Sequence, residues 1–383
     1  MNLAANMNWR SLPTLDPLLA LTGMALILVG LVAISSASIE YSDWHFGNPW
    51  HHTQRHLIYI SLAAVAAAIT YHVPPSFWEQ TGWAWLIAAL ALLVLVLVPG
   101  VGKDVNGSQR WLPLGPFTLQ PSELGKLALV IYLAGYLVRQ EEEVRNQWSG
   151  FLKPMGVVGV MALLLMVEPD FGATVICGGT AFGMLFLAGA KLGHFLLVLL
   201  GALLALLALV FSAPYRVQRL TAYTDPWADP FGSGFQLIQS LIAFGRGEWV
   251  GVGLGNSVQK LFYLPEAHTD FVFSIWAEET GMLGALLVMG LFALLIGRIL
   301  WVARQAITKG HLFGAYVCFG AALIFSGQAF VNMGVSSGLL PTKGLTLPFV
   351  SYGGTSLIMS CCLLALVLRI DGELRQGRKR VNG

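Results

Sequence analysis

The segment LPEAHTDFVFSIWAEE, residues 264–279, holds the side chains best suited to acid–base chemistry. Asp270 lies where a long loop ends and an apolar run begins. An ionised carboxylate at such a boundary can take a proton from an alcohol. We therefore predict Asp270 as a general base, with Glu266 and His268 as neighbours. The alternative is that Asp270 only caps the N-terminus of the helix that follows.

Two more acids, Glu278 and Glu279, lie inside the same apolar run. At 1.5 Å per residue, a helix would place them about 12–14 Å from Asp270 along its axis. That distance is too long for the three acids to share one proton. We predict a packing or cavity-lining role for this pair.

Several cations could neutralise a departing phosphate or pyrophosphate, which arginine binds in a bidentate manner. Five lie before Asp270 or before the last apolar run: Arg216, Arg219, Arg246, Lys260 and Lys343. Gln239, on the polar face of a short helix predicted for GFQLIQSLIAFG, is a further candidate for substrate binding. The alternative is a solvated loop in which these charges are incidental.

Two further sets of charges lie in or beside apolar segments, where ionisable groups are costly and tend to be paired or functional. Glu123 and Lys126 are three residues apart on one predicted helix and can pair with each other. Such a pair could fix helix packing or shape a substrate cavity. Glu168 and Asp170 flank Pro169, which ends a helix. For Asp170 we favour helix capping over catalysis.

The elements that must position these side chains are membrane helices. The chain is 56% hydrophobic and 11% charged, with a mean hydropathy of +0.69, far from the averages of soluble domains. A spanning helix needs about 20 mostly apolar residues. Eight uncharged stretches qualify, at 17–39, 56–78, 80–102, 171–190, 192–215, 280–297, 310–342 and 344–368. Residues 121–138 and 154–167 are predicted as two more helices packed inside the protein, which makes ten spans.

The predicted fold is therefore all-α and polytopic, with about ten transmembrane helices and a long extracytoplasmic loop between helices 7 and 8. Most of the 22 lysines and arginines fall on one side if the N-terminus is cytoplasmic, so both termini are assigned to the cytoplasm. The domain prediction has three parts: a cytoplasmic tail at 1–16, one membrane domain at 17–370 that includes outer loops 100–122 and 214–270, and a basic cytoplasmic tail at 371–383.

Charge and spacing exclude several kinds of partner. A net charge of +2 is too small to indicate a nucleic-acid partner. The four cysteines have no metal-ligand spacing, and the eight histidines include no zinc pattern, so no metal site is predicted. The glycines of GRGEWVGVGLGNS do not form a dinucleotide fingerprint, so a nucleotide site is unsupported.

Five stretches carry longer motifs, in the order NGSQRWLPLGPFTLQPSELGKLALV, EPDFGATV, YRVQRLTAYTDPWADPFGSGFQLIQS, GVGLGNSVQKLFYLPEAHTDFVFSIWAEE and GLLPTKGLTLPFVSYGGTS. Together they resemble the SEDS family of membrane proteins that build bacterial cell walls, and the resemblance covers nearly every predicted span. The last stretch, with its Thr-Lys-Gly, is similar to the cell-division members of the family rather than the elongation members.

The resemblance implies a peptidoglycan glycosyltransferase that polymerises lipid II with inversion and releases undecaprenyl pyrophosphate. It places the catalytic aspartate at Asp270, sensitive arginines at Arg110 and Arg219, and a charged pair at Glu123 and Lys126. A divalent cation, Mg²⁺ or Mn²⁺, could assist the pyrophosphate, although no carboxylate cage indicates one. It also implies a class B penicillin-binding protein of the FtsI type and other division proteins as partners, and a place in the bacterial cytoplasmic membrane at the septum.

Two other functions are kept as alternatives. A lipid II flippase would use intramembrane charges as a polar track, but such a track should run through the full depth of the spans. Here the carboxylates and cations gather toward the predicted outer face. A scaffold that only holds a partner leaves the paired acidic and basic positions unexplained.

Overall fold

The computed structural model describes residues 15–105, 108–115, 117–211, 223–232, 234–341 and 344–381. Within these ranges the chain forms twelve α-helices: α1 (Pro17–Phe46), α2 (His51–His72), α3 (Pro75–Val96), α4 (Pro121–Arg139), α5 (Glu141–Asn146), α6 (Trp148–Val167), α7 (Phe171–Leu187), α8 (Leu192–Phe211), α9 (Phe235–Gly247), α10 (Val272–Thr308), α11 (Leu312–Ser336) and α12 (Gly354–Val381). It also forms strands β1 (Lys103–Val105), β2 (Ser108–Leu114) and β3 (Phe117–Leu119), and a short 3₁₀ helix at Pro226–Ala228.

Ten of the described helices have 17 or more residues, and each overlaps one of the ten predicted spans. Six of them, α1, α3, α4, α6, α10 and α11, are long and apolar enough to cross a membrane by length and composition. The expectation of a helical, multi-pass membrane protein is therefore confirmed.

The ten helices differ in how deeply they are buried. The apolar part of α4 is 83% buried and that of α11 is 67% buried, so these two helices lie at the centre of the bundle. The corresponding value for α6 is only 33%. The prediction of an inner helix was thus right for 121–138 and wrong for 154–167, because α6 lies at the periphery.

Contacts between distant segments sort the connections into two sides. The sheet, the start of α7, the segment before α10 and the segment before α12 meet around one cavity. We call this the outer side, following the predicted orientation. On the other side the α2–α3 and α10–α11 turns meet the last part of α12. The cytoplasmic location of both termini stays a prediction.

An ion cluster joins three helices on that second side. Asp16 accepts hydrogen bonds from Leu18 N and Leu19 N at the start of α1 and pairs with Arg298 of α10 at 2.6 Å. It also pairs with Arg375 of α12, which in turn binds Asp371 at 2.6 Å. Helix α12 therefore continues as a packed element past residue 370, where the cytoplasmic tail was predicted to begin.

The outer loop 100–122 contains a sheet that the sequence analysis did not predict. Its strands are antiparallel in the order β1-β2-β3. The sheet is attached to the start of α12 because the Thr355 hydroxyl donates to Thr118 O and accepts from Gln120 N. This attachment holds β2, which carries Arg110, over the bundle.

Helix α10 is interrupted near its outer end. Gly281 has φ 70° and ψ −169°, a conformation that only glycine adopts readily, and an added Cβ would lie 2.4 Å from Gly251 N. Segment 248–253 satisfies the backbone groups freed by the break: Val252 N and Gly253 N donate to Glu278 O and Glu279 O. Irregular backbone at such a depth is tolerated where protein groups satisfy it. The break therefore fixes the loop between α9 and α10 onto α10.

Candidate active site

A cavity of about 390 Å³ opens at the outer ends of the central helices. Five elements contribute its walls: β2, the start of α4, the start of α7, the segment before α10 and the segment that follows α11. Its polar lining residues include Ser108, Arg110, Gln120, Glu123, Asp170, Glu266, Thr269, Asp270, Thr346 and Tyr352. The cavity thus brings together five of the predicted site residues: Arg110, Glu123, Asp170, Glu266 and Asp270.

Asp270 is half-buried in the wall of this cavity and does not cap a helix. Helix α10 begins at Val272, and its N-cap residue is Phe271, so the capping alternative is wrong. Among the described residues, no donor hydrogen-bonds the Asp270 carboxylate and no cation pairs with it. Burial raises the pKa of Asp270 to about 7, the charge of Glu266 adds to the rise, and Arg110 opposes it. The carboxyl is therefore poised to exchange a proton near neutral pH.

Arg110 is the cation of the described cavity lining. Its Nε donates to Glu168 O at 3.1 Å and its Nη2 to Pro169 O at 2.5 Å. These bonds anchor β2 on the turn between α6 and α7. Both hydrogen-bond acceptors are neutral backbone carbonyls. The positive charge of the guanidinium is therefore not neutralised by these bonds and can attract an anion in the cavity.

Asp170 and Glu168 have different roles in that turn. Asp170 accepts from Ala173 N at 3.2 Å and from Ser122 Oγ at 3.0 Å, so it caps α7, as predicted, and joins it to α4. Glu168 is fully buried, and its carboxyl oxygens have no hydrogen-bond partner within the described ranges. Burial, with a contribution from Asp170, raises the pKa of Glu168 to about 8.

The predicted pair on α4 is formed. Glu123 Oε2 lies 2.8 Å from Lys126 Nζ, and both side chains are buried. Glu123 also reaches the cavity wall, whereas Lys126 lines a small space with Gln328 and Ser360. The pair therefore contributes both to helix packing and to the floor of the cavity.

The structure does not place Lys260 in the cavity. Its Nζ lies 3.1 Å from Glu279 Oε1 and donates to Ser36 Oγ and Gly255 O, and its side chain is buried. Lys260 is therefore wrong as a candidate for pyrophosphate binding: its charge is already neutralised at a packing contact. Glu279 also accepts from Ser36 at 2.5 Å and Ser257 N, so of the packing and cavity-lining roles predicted for it these contacts favour packing.

Glu278 also binds the loop between α9 and α10, where that loop packs against α10; we call these contacts of Glu278 and Glu279 the loop-docking contacts. It accepts hydrogen bonds from the Ser257 hydroxyl and from Val258 N and Gln259 N, and Arg246 lies 3.4 Å away. These contacts favour packing over cavity lining for this acid as well. Its donors come from one short stretch of the loop between α9 and α10, which the sequence did not identify as its partner.

Five predicted residues remain. His268 packs its ring against His52, Tyr41 and Tyr352 and does not line the cavity. Gln239 lies on α9, which confirms the predicted helix, but it is not part of the cavity lining. The binding candidates that fall outside the described residues are Arg216, Arg219 and Lys343.

Sequence reasoning missed the part played by the segment after α11. Gly344, Thr346 and Tyr352 line the cavity, and an added Cβ at Gly344 would lie 2.6 Å from Asp270 Oδ2. The available signal was a polar, glycine-containing stretch between two apolar runs. Charge marks only its lysine as a candidate, and the uncharged residues of the stretch give no such signal.

In the described ranges, no group of three or more His, Cys, Asp or Glu side chains could hold a metal ion. The divalent cation that could assist the pyrophosphate therefore has no set of protein ligands among these residues.

The comparisons with known proteins agree with this fold. A family model described as "Cell cycle protein", covering FtsW, RodA and SpoVE, matches residues 16–376. The chain belongs to the FtsW/RodA/SpoVE family. A relative from Marinobacter nauticus, named probable peptidoglycan glycosyltransferase FtsW, is 54% identical over 95% of this chain and 91% of its own length. The SEDS resemblance is thereby confirmed, with FtsW proteins among its high-identity relatives.

Solved structures of family members have the same fold. One, described as structural coordination of polymerization and crosslinking by a peptidoglycan synthase complex, is 31% identical with a TM-score of 0.77 and covers 95% of this chain and 99% of that one. The rod shape determining protein RodA of Thermus thermophilus is 28% identical with a TM-score of 0.69, covering 94% and 97% of the two chains.

Proposed function

We propose that this protein is a peptidoglycan glycosyltransferase that polymerises lipid II into glycan strands at the outer face of the cytoplasmic membrane. The observation that carries the proposal is Asp270, a carboxyl with a pKa of about 7 and no partner among the described residues, in the wall of a 390 Å³ cavity. The name of the relative with 54% identity supports the same reaction.

In the proposed reaction, Asp270 takes the proton from the 4-hydroxyl of the acceptor sugar. The freed electron pair forms a bond to the anomeric carbon of the lipid-linked donor. The bond from that carbon to the pyrophosphate oxygen breaks, and undecaprenyl pyrophosphate leaves with its electron pair. A single displacement inverts the anomeric centre. A base with a pKa of about 7 is about half ionised at neutral pH and can both accept and return the proton.

The charges of the cavity suggest where each part of the substrates lies. Glu123, Asp170, Glu266 and Asp270 outnumber Arg110 among the lining residues. Carboxylates accept hydrogen bonds from sugar hydroxyls but repel a diphosphate. We therefore place the sugars over the acids and the diphosphate on the side of Arg110, whose guanidinium keeps N–H groups beyond the two that donate to backbone carbonyls. Arg216, Arg219 and Lys343 stay predicted contributors, and a divalent cation carried by the diphosphate also stays a prediction.

We also propose the partners and the cellular place of the reaction. The solved relative belongs to a complex described as coordinating polymerization with crosslinking. A class B penicillin-binding protein of the FtsI type would supply the crosslinking activity here, with other division proteins around it. Cytoplasmic termini and action at the septum belong to the same proposal.

The test is polymerisation of purified lipid II by the protein together with its transpeptidase partner. Asp270→Asn keeps the size of the side chain and removes the base, so we expect glycan synthesis to fall by about 10²- to 10⁴-fold. Asp225→Asn, the same change at an exposed position of the outer loop, is the matched control and should retain full activity.

Folding and lipid transport must be measured on the same variants. Asp270→Asn should elute and unfold thermally like the wild type. Undiminished glycan strands from Asp270→Asn would overturn the assignment of the base. Absence of strands from the wild type, with lipid II translocated in vesicles, would favour the flippase, and neither activity in the wild type would favour the scaffold.

A further inference from the structure

Asn332, on the central helix α11, makes two hydrogen bonds to the backbone around the cavity. Its Nδ2 donates to Asp270 O at 2.8 Å and to Leu345 O at 2.6 Å. The residue is buried, and its Oδ1 has no hydrogen-bond partner in the described part of the chain. Both donors of this amide are thus committed to the two carbonyls.

The two carbonyls belong to different segments, and both segments contribute lining residues to the cavity. Asp270 lies in the segment before α10, and Leu345 lies in the segment after α11, next to Gly344. The Asp270 carboxylate is so close to Gly344 that an added Cβ would lie 2.6 Å from Oδ2. The Asn332 amide therefore sets the distance between the backbone of Asp270 and the Gly344–Leu345 backbone, against which the Asp270 carboxylate lies.

We propose that Asn332 is a positioning residue that fixes the Asp270 carboxylate at the anomeric centre by tying together the backbones of Asp270 and Leu345. The inference rests on the function proposed above. Few other side chains could replace it. An aspartate has no donor when ionised, a serine has one, and a glutamine is one methylene longer.

Loss of this tie should act on chemistry more than on binding. A displacement of about 1 Å between reacting groups can cost about 100-fold in rate. The substrates would still meet the remaining lining residues, such as Arg110 and Glu123, so the KM for lipid II should change little.

The pH profile separates positioning from a loss of folded protein. In the described part of the chain, the titratable groups that line the cavity with Asp270 are Glu266, Arg110, Asp170, Glu123 and Tyr352. All of them are unchanged in an Asn332 variant. A carboxylate released toward water would lose part of its burial, so the midpoint of the acid limb should move to lower pH.

The experiment compares kcat, KM and the pH dependence of kcat/KM from about pH 5.5 to about 8.5 for wild type, Asn332→Ala and Ser336→Ala, each with the transpeptidase partner. Ser336 is the matched control, because it is buried on the same helix one turn further along and its Oγ has no partner among the described groups. For Asn332→Ala we expect kcat to fall about 10- to 100-fold, KM to stay within about twofold, and the midpoint to fall. Ser336→Ala should match the wild type in all three.

An unchanged midpoint, with loss of activity that follows the loss of folded protein, would overturn the proposal in favour of a purely structural hydrogen bond. If Asn332→Ala does not fold, Asn332→Ser keeps one donor and should show a smaller fall in kcat with the same direction of midpoint shift. A normal kcat and midpoint in that variant would also overturn it. Asp270→Asn is run in parallel: its inactivity beside a fully active Asn332→Ala refutes this inference alone, whereas its full activity refutes the proposed function.

Discussion

Two groups of carboxylates lie only eight residues apart near the start of α10, and the fold treats them in opposite ways. Asp270 faces a cavity and has no hydrogen-bond donor or cation on its carboxylate among the described residues. Glu278 and Glu279 are completely buried or nearly so, and donors from the loop 246–260 and from α1 surround them. The comparison teaches that residue type alone does not identify the base. Asp270 differs from Glu278 and Glu279 because its side chain lines the cavity and its carboxylate has no partner among the described residues.

The difference has an energetic reason. A buried carboxylate is tolerated when hydrogen bonds and a cation compensate its loss of water. Glu279 has such compensation from Lys260 and Ser36, so its charge is fixed and unavailable. Asp270 lacks it, and its pKa rises to about 7 mainly through burial. Uncompensated burial of the Asp270 carboxylate costs stability, but the same burial raises its pKa into the range in which it can serve as a base.

The largest loss of stability that would test this difference between Glu279 and Asp270 is expected from a substitution of Lys260. Lys260→Met should destabilise the protein by about 3–5 kcal/mol, because it leaves Glu279 buried without its cation. Thermal unfolding and the fraction of protein surviving size-exclusion chromatography measure the loss. Turnover per folded molecule should stay within about threefold of the wild type, since Lys260 is outside the cavity lining.

A double variant supplies the control for that prediction. Lys260→Met combined with Glu279→Leu removes both charges, so it should be less destabilised than Lys260→Met alone. A Lys260→Met protein that unfolds like the wild type but no longer polymerises lipid II would contradict the assignment. It would restore Lys260 as the substrate-binding residue that the sequence suggested.

The sequence was sufficient for the features that depend on local pattern. Uncharged stretches predicted eight of the ten long helices, two further apolar segments predicted the other two, and spacing on one helix predicted the Glu123–Lys126 pair. The position of Asp270 at the end of a long loop and the start of an apolar run, together with the family resemblance, predicted it as the general base. These features are encoded within about 20 residues of chain, which is why they can be read without a structure.

Features that depend on distant segments could not be predicted. Ser36, the partner of Glu279, lies 243 residues away from it, and Asn332 lies 62 residues from the carbonyl it holds. Lys260 was misassigned because a lysine in an outer loop has the same sequence signature whether it faces substrate or a buried glutamate. The sheet in loop 100–122 was missed because its strands are short and lie between turns.

A smaller effect, a shift in the pH dependence of kcat/KM, is expected when a charge near Asp270 is removed. A general base works when deprotonated, so kcat/KM should be lost as pH falls through the pKa of Asp270 at about 7. Glu266 raises the pKa of Asp270, and Glu266→Gln removes that charge. The midpoint should therefore move to lower pH, by about half a unit to one unit at low ionic strength. The measurement is lipid II polymerisation across pH.

Salt provides the internal control for Glu266→Gln. The Glu266 side chain is exposed, so added salt should screen its effect and bring the wild-type and variant midpoints together. A midpoint that moves to higher pH, or one that stays in place at low salt, would show that Glu266 does not act on the base through its charge.

The smallest effect should come from Arg246, which is the exposed member of the loop-docking contacts. Its Nη1 lies 3.4 Å from Glu278 Oε1, and its side chain is 42% exposed. Glu278 keeps its bonds from Ser257, Val258 N and Gln259 N when the arginine is removed. Arg246→Gln should thus cost less than about 1 kcal/mol in thermal unfolding, as other exposed ion pairs do.

This small value sharpens the contrast because Arg246 and Lys260 both pair with a buried acid of α10 but differ in exposure. If burial of the cation and not the mere presence of an ion pair decides the cost, Lys260→Met must exceed Arg246→Gln by about 2 kcal/mol or more. Equal losses would mean that the loop is held by charge neutralisation in general. In that case any nearby cation would be enough to hold an acid in its charged form. Arg110, which lines the same cavity as Asp270, would then be expected to prevent Asp270 from acting as a base.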